Sequence, residues 1–113
     1  MTLRFAILAT SLTMFATSAM ADPIEGMWKR PNGILVKFAA CGSSFCATAE
    51  SGPHVGGNAG KLAPAGEKYA GTLTDLEAGK TYSGKGEVSG NTLTVAGCIL
   101  GGLFCKSESW TRQ

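Results

Sequence analysis

The four cysteines are the residues whose spacing most directly implies chemistry. Cys41 and Cys46 are separated by four residues, and Cys98 and Cys105 by six. An even number of cysteines in a small exported domain is typical of disulfides, whereas zinc sites usually have shorter spacers and more histidines. Alternating apolar residues direct both cysteines of the first pair to the outer face of one hairpin. We therefore predict two hairpin disulfides, Cys41–Cys46 and Cys98–Cys105, and no metal site.

A catalytic centre is not expected. The only histidine, His54, lies in a glycine-rich stretch at residues 51–60, which we interpret as a flexible loop with a solvated side chain. Acid–base catalysis by Glu108 with Asp75 or Glu87 is not supported by any motif. Lys+Arg number 10 against Asp+Glu 8, without a basic run, which argues against a nucleic-acid partner. We predict a protein that is not an enzyme and has no cofactor.

Residues 1–21 have the pattern of a secretory signal peptide. Arg4 precedes an apolar run at residues 5–16, and Ala19 and Ala21 occupy the two positions that signal peptidase recognises. The run is shorter than the roughly 20 residues needed to span a bilayer. We expect cleavage after Ala21 and a periplasmic or secreted protein with no transmembrane segment. The mature chain would be a single monomeric domain of residues 22–113.

Apolar and polar residues alternate along the mature chain between glycine-rich breaks, which predicts β-strands. The predicted strands are residues 25–29, 33–41, 45–51, 61–63, 68–76, 80–89, 91–98 and 103–112. Seven or eight short strands joined by tight turns indicate an all-β fold, a small antiparallel meander. Closure into a barrel is expected because it removes the exposed strand edges.

The same alternation predicts which side chains face inward. Tyr82 shares a face with Gly84 and Gly86, and Gly97 belongs to the inner face of the next strand. Inward glycines either permit a sharp bend or leave space for a ligand, and we favour the bend.

In the last strand, Trp110 and Arg112 share one face with Lys106 and Glu108. The two charged residues either line a wet pocket or lie on the surface beyond a bulge, and we favour the surface. The preceding turn, residues 99–104, carries four large apolar side chains. We expect it to fold over the barrel end as a plug, and a contact surface is the alternative.

Both ends of the mature chain carry a motif. The segments Gly26-Met-Trp28 and Trp110-Thr-Arg112 resemble the lipocalin pattern, in which the tryptophan plugs the closed end and the arginine packs across it. Together with the cysteine segments, residues 24–112 resemble the bacterial exported family called domain of unknown function 2147. The resemblance implies a lipocalin-like barrel in the bacterial envelope, with Gly26 and Trp28 as a structural plug. It implies no established activity.

We predict a non-catalytic barrel that binds a small anionic or amphipathic molecule through Tyr82, Trp110 and Arg112. An arginine can pair with a carboxylate through two hydrogen bonds, and the aromatic rings supply apolar contact. One alternative, which we favour slightly for Arg112, makes this residue a lid on Trp28 with no ligand. A second alternative is an envelope inhibitor or stress factor that contacts another protein through residues 51–60 or the turn at residues 99–104.

Overall fold

The computed structural model describes residues 21–113, so the predicted signal peptide lies outside it apart from Ala21. The strands are β1 (Gly26–Lys29), β2 (Leu35–Cys41), β3 (Ser44–Ala49), β4 (Asn58–Ala65), β5 (Lys68–Asp75), β6 (Lys80–Ser89), β7 (Thr92–Ile99) and β8 (Phe104–Arg112). A short 3₁₀ turn at Leu100–Gly102 is the one helical element of this part of the chain. The all-β prediction is confirmed. Within residues 21–113 no helix has the length and apolar character to cross a membrane.

The strands form a closed barrel in which each strand pairs antiparallel with the next. Closure is made by β1 and β8, through the pairs Trp28↔Arg112 and Lys29↔Thr111. The predicted meander and its closure into a barrel are therefore confirmed. Closure gives both β1 and β8 a second partner, so neither strand is left as an exposed edge.

Strand β4 is longer than predicted. It spans eight residues, Asn58–Ala65, where the sequence indicated only residues 61–63. The sequence pattern did not predict its full length because Gly60 and Pro64 are residue types depleted in strands. The preceding loop is correspondingly short, residues 50–57, and the Ser51 hydroxyl accepts a hydrogen bond from the Leu35 amide at 2.8 Å.

The two ends of the barrel have different connections. At one end, the closed end, three two-residue turns join the strands, at residues 42–43, 66–67 and 90–91. Each begins with a glycine at positive φ (70°, 67° and 59°), a conformation that two-residue hairpin turns require at this position. At the other end, the open end, the connections are longer: residues 30–34, 50–57, 76–79 and 100–103.

Trp28 and Arg112 pack together at the closed end. Trp28 is completely buried, and its indole N–H donates to the Ile24 carbonyl at 2.8 Å. The Arg112 guanidinium lies 4.2 Å from the centre of a Trp28 ring and donates to the carbonyls of Glu25 and Pro23 at 3.2 and 2.5 Å. The structure thus places Arg112 as a lid over Trp28.

Gly26 provides the backbone conformation for this arrangement. Its φ is +119°, which side-chain-bearing residues rarely adopt, and a Cβ there would lie 3.5 Å from Arg112 Nη1. The Gly-x-Trp spacing therefore has a local physical cause. The glycine supplies the backbone conformation beside the guanidinium, and Trp28 supplies the ring beneath it.

Residues 22–25 complete the closed end. Ile24 is fully buried beside Trp28, and the Asp22 carboxylate accepts hydrogen bonds from the Ile24 amide and the Tyr69 hydroxyl. Burial and the contact with Asp22 raise the pKa of Tyr69 to about 12. This short segment, which the sequence did not single out, anchors the start of the domain to the barrel.

The predicted disulfides Cys41–Cys46 and Cys98–Cys105 are both present, and no cysteine is left free to bind zinc. The turn enclosed by the first pair has two residues, 42 and 43. Cys41 pairs with Ser44 and Cys46 pairs with Ala39, so the cysteines are diagonal neighbours with Cα atoms 5.8 Å apart.

Two of the inward glycines allow close packing. A Cβ on Gly84 would lie 2.7 Å from Leu73 Cγ, and one on Gly86 would lie 3.1 Å from Leu62 Cδ1. At Gly97 the nearest neighbours of a Cβ would be Cβ and ring atoms of Tyr82, at 3.6 Å or more, which is ordinary contact. Gly84 and Gly86 therefore admit neighbouring side chains closely, whereas Gly97 has room for a Cβ.

Candidate ligand cavity

A cavity of about 520 Å³ occupies the open half of the barrel. Its apolar lining includes Ile34, Val36, Leu73, Tyr82, Val95 and Trp110. Val36, Val95 and Trp110 are also buried members of the core, so they form the boundary between the filled and the hollow halves. A cavity of this volume with mainly aliphatic and aromatic walls can accommodate a small organic molecule.

One polar cluster lies within this lining. Arg30 donates two hydrogen bonds to the Glu108 carboxylate, from Nε at 3.0 Å and from Nη2 at 2.8 Å. The Trp110 indole N–H donates to the same carboxylate at 2.8 Å, and the Arg30 guanidinium lies 5.8 Å from the centre of a Trp110 ring. These contacts hold the Trp110 ring in a fixed orientation in the cavity wall.

The electrostatics of the cluster follow from this geometry. Hydrogen bonding from Arg30, together with that from Trp110, outweighs partial burial and lowers the pKa of Glu108. Hydrogen bonding to Glu108 correspondingly raises the pKa of Arg30, and the more distant carboxylates of Asp75 and Glu77 act in the same direction. Arg30 therefore experiences the field of three carboxylates.

The cavity contains two of the three predicted ligand-binding residues. Tyr82 and Trp110 line it, whereas Arg112 lies at the closed end and does not. Lys106 and Glu108 also line the cavity, so the favoured interpretation that a bulge turns them to the outer surface is wrong, although the Lys106 side chain is exposed. Strand β8 pairs with β7 residue by residue, and no bulge reverses its inner face.

Arg30 is a charged cavity residue that the sequence analysis did not identify. It follows Trp28 by two residues and so continues the inward-facing set that begins at Gly26. This alternation could have predicted that Arg30 faces the barrel interior. The partner, Glu108, is 78 residues away in the sequence, and nothing local indicates the pairing.

The turn at residues 99–104 does not plug the barrel. Leu100, Leu103 and Phe104 are all more than half exposed, which contradicts the expectation that the turn folds inward. Ile99 and Phe104, at the two ends of the turn, nevertheless line the cavity. The turn therefore stands at the rim of the cavity with most of its apolar surface in solvent.

His54 lines the cavity from the loop at residues 50–57. Among residues 21–113, no hydrogen bond connects its ring to a carboxylate or a hydroxyl, and no group of three or more His, Cys, Asp or Glu residues is arranged to hold a metal ion. The cavity is an apolar space, and the polar groups in its wall (Arg30, Glu108 and the Trp110 indole) are hydrogen-bonded to one another. Such a cavity suits a ligand held by apolar contact and complementary shape.

The fold and the cavity define a small eight-stranded barrel, closed at one end and open at the other, which is consistent with a lipocalin-like architecture. The family model described as "Uncharacterized protein conserved in bacteria (DUF2147)" matches residues 58–112, which cover β4 to β8. The resemblance to this family is confirmed over that segment. Comparisons with curated proteins and with solved structures gave no match.

Proposed function

We propose that the barrel binds a small amphipathic molecule in its open half, without catalysis. The observation that carries the proposal is the cavity of about 520 Å³, walled by Tyr82, Trp110 and aliphatic side chains. The apolar part of the ligand would lie against these walls, where burial removes it from water. Its polar part would face the open end, which is bordered by charged residues.

The charges around the cavity favour an uncharged polar group over an anionic one. Arg112, the predicted partner for a carboxylate, already donates to two backbone carbonyls at the closed end. Arg30 is paired with Glu108 and also faces Asp75 and Glu77. The cavity lining carries three carboxylates, those of Asp75, Glu77 and Glu108, against two cationic side chains, Arg30 and Lys106. An entering anion would therefore meet an excess of negative charge.

A matched pair of fluorescent probes tests the proposal. N-phenyl-1-naphthylamine is neutral, and 8-anilino-1-naphthalenesulfonate carries the same rings with one added sulfonate. We expect the neutral probe to bind with stoichiometry near one and the sulfonate to bind at least about fivefold more weakly, the size of a modest charge repulsion. Probe fluorescence at equilibrium measures both affinities.

Gly97→Val provides the matched variant, because its side chain would project into the cavity without a backbone conflict. We expect it to weaken binding of the neutral probe at least about tenfold by occupying the space. Ala70→Val, which adds methyl groups at an exposed position of β5, is the control. Equal affinities in the two variants, or no probe binding to the parent protein, would refute the proposal.

We also propose that the protein functions in the periplasm or outside the cell. The two disulfides support this location because such bonds persist in oxidising compartments. The signal-peptide pattern of residues 1–21 supports it independently from the sequence.

A further inference from the structure

The large exposed apolar side chains of the described residues all lie at the open end of the barrel. They are Val55, Ile99, Leu100, Leu103 and Phe104, with exposed fractions from 47% for Ile99 to 78% for Leu103. Val55 belongs to the loop at residues 50–57, and the other four belong to the turn at residues 99–104, which we call the apolar tip. Solvent-exposed apolar residues confined to one end indicate that this end meets an apolar partner.

The shape of the apolar tip is fixed by its backbone and its disulfide. Leu100, Gly101 and Gly102 have φ values of 52°, 68° and 92°, all in the left-handed region. The Cys98–Cys105 disulfide joins β7 and β8 directly below the tip. Leu100 and Leu103 are therefore presented on a narrow, convex turn whose base is clamped.

The exposed apolar surface continues into the cavity. Ile99 and Phe104 are both lining residues and exposed rim residues, so one side of each contacts the cavity and the other contacts solvent. The apolar tip and the cavity wall therefore share two side chains. This continuity favours a partner that can itself supply an apolar ligand.

The charges at the open end are mixed. Arg30 and Glu108 neutralise each other, and the remaining side chains include Lys80 and Lys106 as well as Asp75 and Glu77. No basic cluster is available to recognise anionic lipid headgroups. Any attachment made by this end must depend on apolar burial.

We propose that the open end docks on a lipid bilayer by inserting Leu100, Leu103 and Phe104 among the acyl chains near the headgroups. The small convex tip suits shallow insertion. A stable protein–protein interface would require a larger complementary surface with an aromatic or arginine-rich centre. The docking does not require that the cavity be occupied, so its test is separate from the probe-binding test.

Sedimentation with sucrose-loaded phosphatidylcholine vesicles measures the docking of the oxidised protein. We expect the parent to co-sediment and the Leu100→Ser/Leu103→Ser variant to partition at least about tenfold more weakly, because buried apolar area drives insertion. Adding anionic phosphatidylglycerol or salt should change partitioning less than about twofold. Ala39→Ser/Ala40→Ser, an apolar-to-serine change near the closed end of β2, should partition like the parent.

A second variant tests insertion directly. Leu103→Trp should add a fluorescence component that shifts to shorter wavelength with phosphatidylcholine vesicles, since the indole enters an apolar environment. The proposal is overturned if the parent does not sediment with neutral vesicles, if it sediments only with anionic vesicles at low salt, or if the serine variant binds equally. It is also overturned if sedimentation velocity shows a dimer that the serine variant abolishes, which would assign the apolar tip to contact between copies of the chain.

Discussion

Glu108 connects two side chains that shape the cavity. Its carboxylate accepts from Arg30 on one side and from the Trp110 indole on the other. About a third of each charged side chain is exposed, so solvent screens the pair and its effect on stability is moderate. The main consequence of these hydrogen bonds is that they fix the orientation of the Trp110 ring, against which a ligand would pack.

Replacing Glu108 by Gln should make part of the protein's stability insensitive to pH. The pKa of Glu108 is lowered in the folded protein, so its carboxylate stabilises the fold above the ordinary carboxyl pKa. This contribution is lost as the pH falls through the lowered pKa. We expect Glu108→Gln to cost roughly 1–2 kcal/mol near neutral pH, and we expect the difference from the parent to disappear once the pH has fallen below the lowered pKa of Glu108.

Urea unfolding at a series of pH values measures this difference. Glu67→Gln, at the exposed turn between β4 and β5, is the control and should follow the parent throughout. A constant difference between Glu108→Gln and the parent from neutral to acid pH would contradict an electrostatic role for Glu108.

At the scale of elements, β1 and β8 close the barrel and also hold its plug. The two strands share only two paired positions, yet Trp28 and Arg112 form one of them. The Arg112 guanidinium adds bonds to the backbone of residues 23–25, which have no place in the sheet. Side-chain contacts therefore add to the strand pairing that holds β1 against β8.

Arg112→Lys should lower stability and leave probe binding unchanged. Lysine keeps the charge but loses the planar stacking on Trp28 and the fork that reaches two carbonyls, and we expect a cost of roughly 1–2 kcal/mol. Because Arg112 lies outside the cavity lining, the affinity for N-phenyl-1-naphthylamine should change less than about twofold.

Thermal melting and probe titration of the same preparation measure the two effects of Arg112→Lys. Lys37→Arg, on the exposed face of β2, is the matched control. A variant with parental stability and a weakened affinity would instead support the ligand contact that the sequence predicted for Arg112.

At the scale of the whole molecule, the barrel divides into a filled half and a hollow half. The closed end has three tight turns, the Trp28 plug and the Cys41–Cys46 disulfide. The open end has the longer loops, the cavity and the Cys98–Cys105 disulfide below the apolar tip. Each half is thus clamped by one short-range disulfide.

Removing the two disulfides should have nearly additive effects on stability. Each closes a short loop, so the loop-entropy estimate is about 2 kcal/mol for either Cys41→Ser/Cys46→Ser or Cys98→Ser/Cys105→Ser. The bonds lie at opposite ends of the barrel and share no partner, which predicts additivity within about 0.5 kcal/mol. Urea unfolding of both double variants and of the quadruple variant measures the sum. A loss of stability in the quadruple variant that greatly exceeds the sum of the two double variants would contradict the independence of the two disulfides.

The sequence by itself determined the elements with local causes. Alternation and glycine turns predicted the meander, and the cysteine spacing predicted both disulfides. The short β4 prediction shows the limit of this approach, because Gly60 and Pro64 have poor strand propensity and the pairing with β3 and β5 overrides it.

Only the tertiary structure decided which inward residues meet. The alternation of side chains along the strand predicts that Trp110 and Arg112 face the interior. Their positions along the barrel axis depend on strand stagger and tilt, which closure of the whole sheet sets. Closure places Arg112 over Trp28 at the closed end and brings Arg30 to Glu108 across 78 residues of sequence. The exposure of the apolar tip was likewise decided by the backbone at residues 100–102 and the disulfide beneath it, since hydrophobicity alone would have placed those leucines inside.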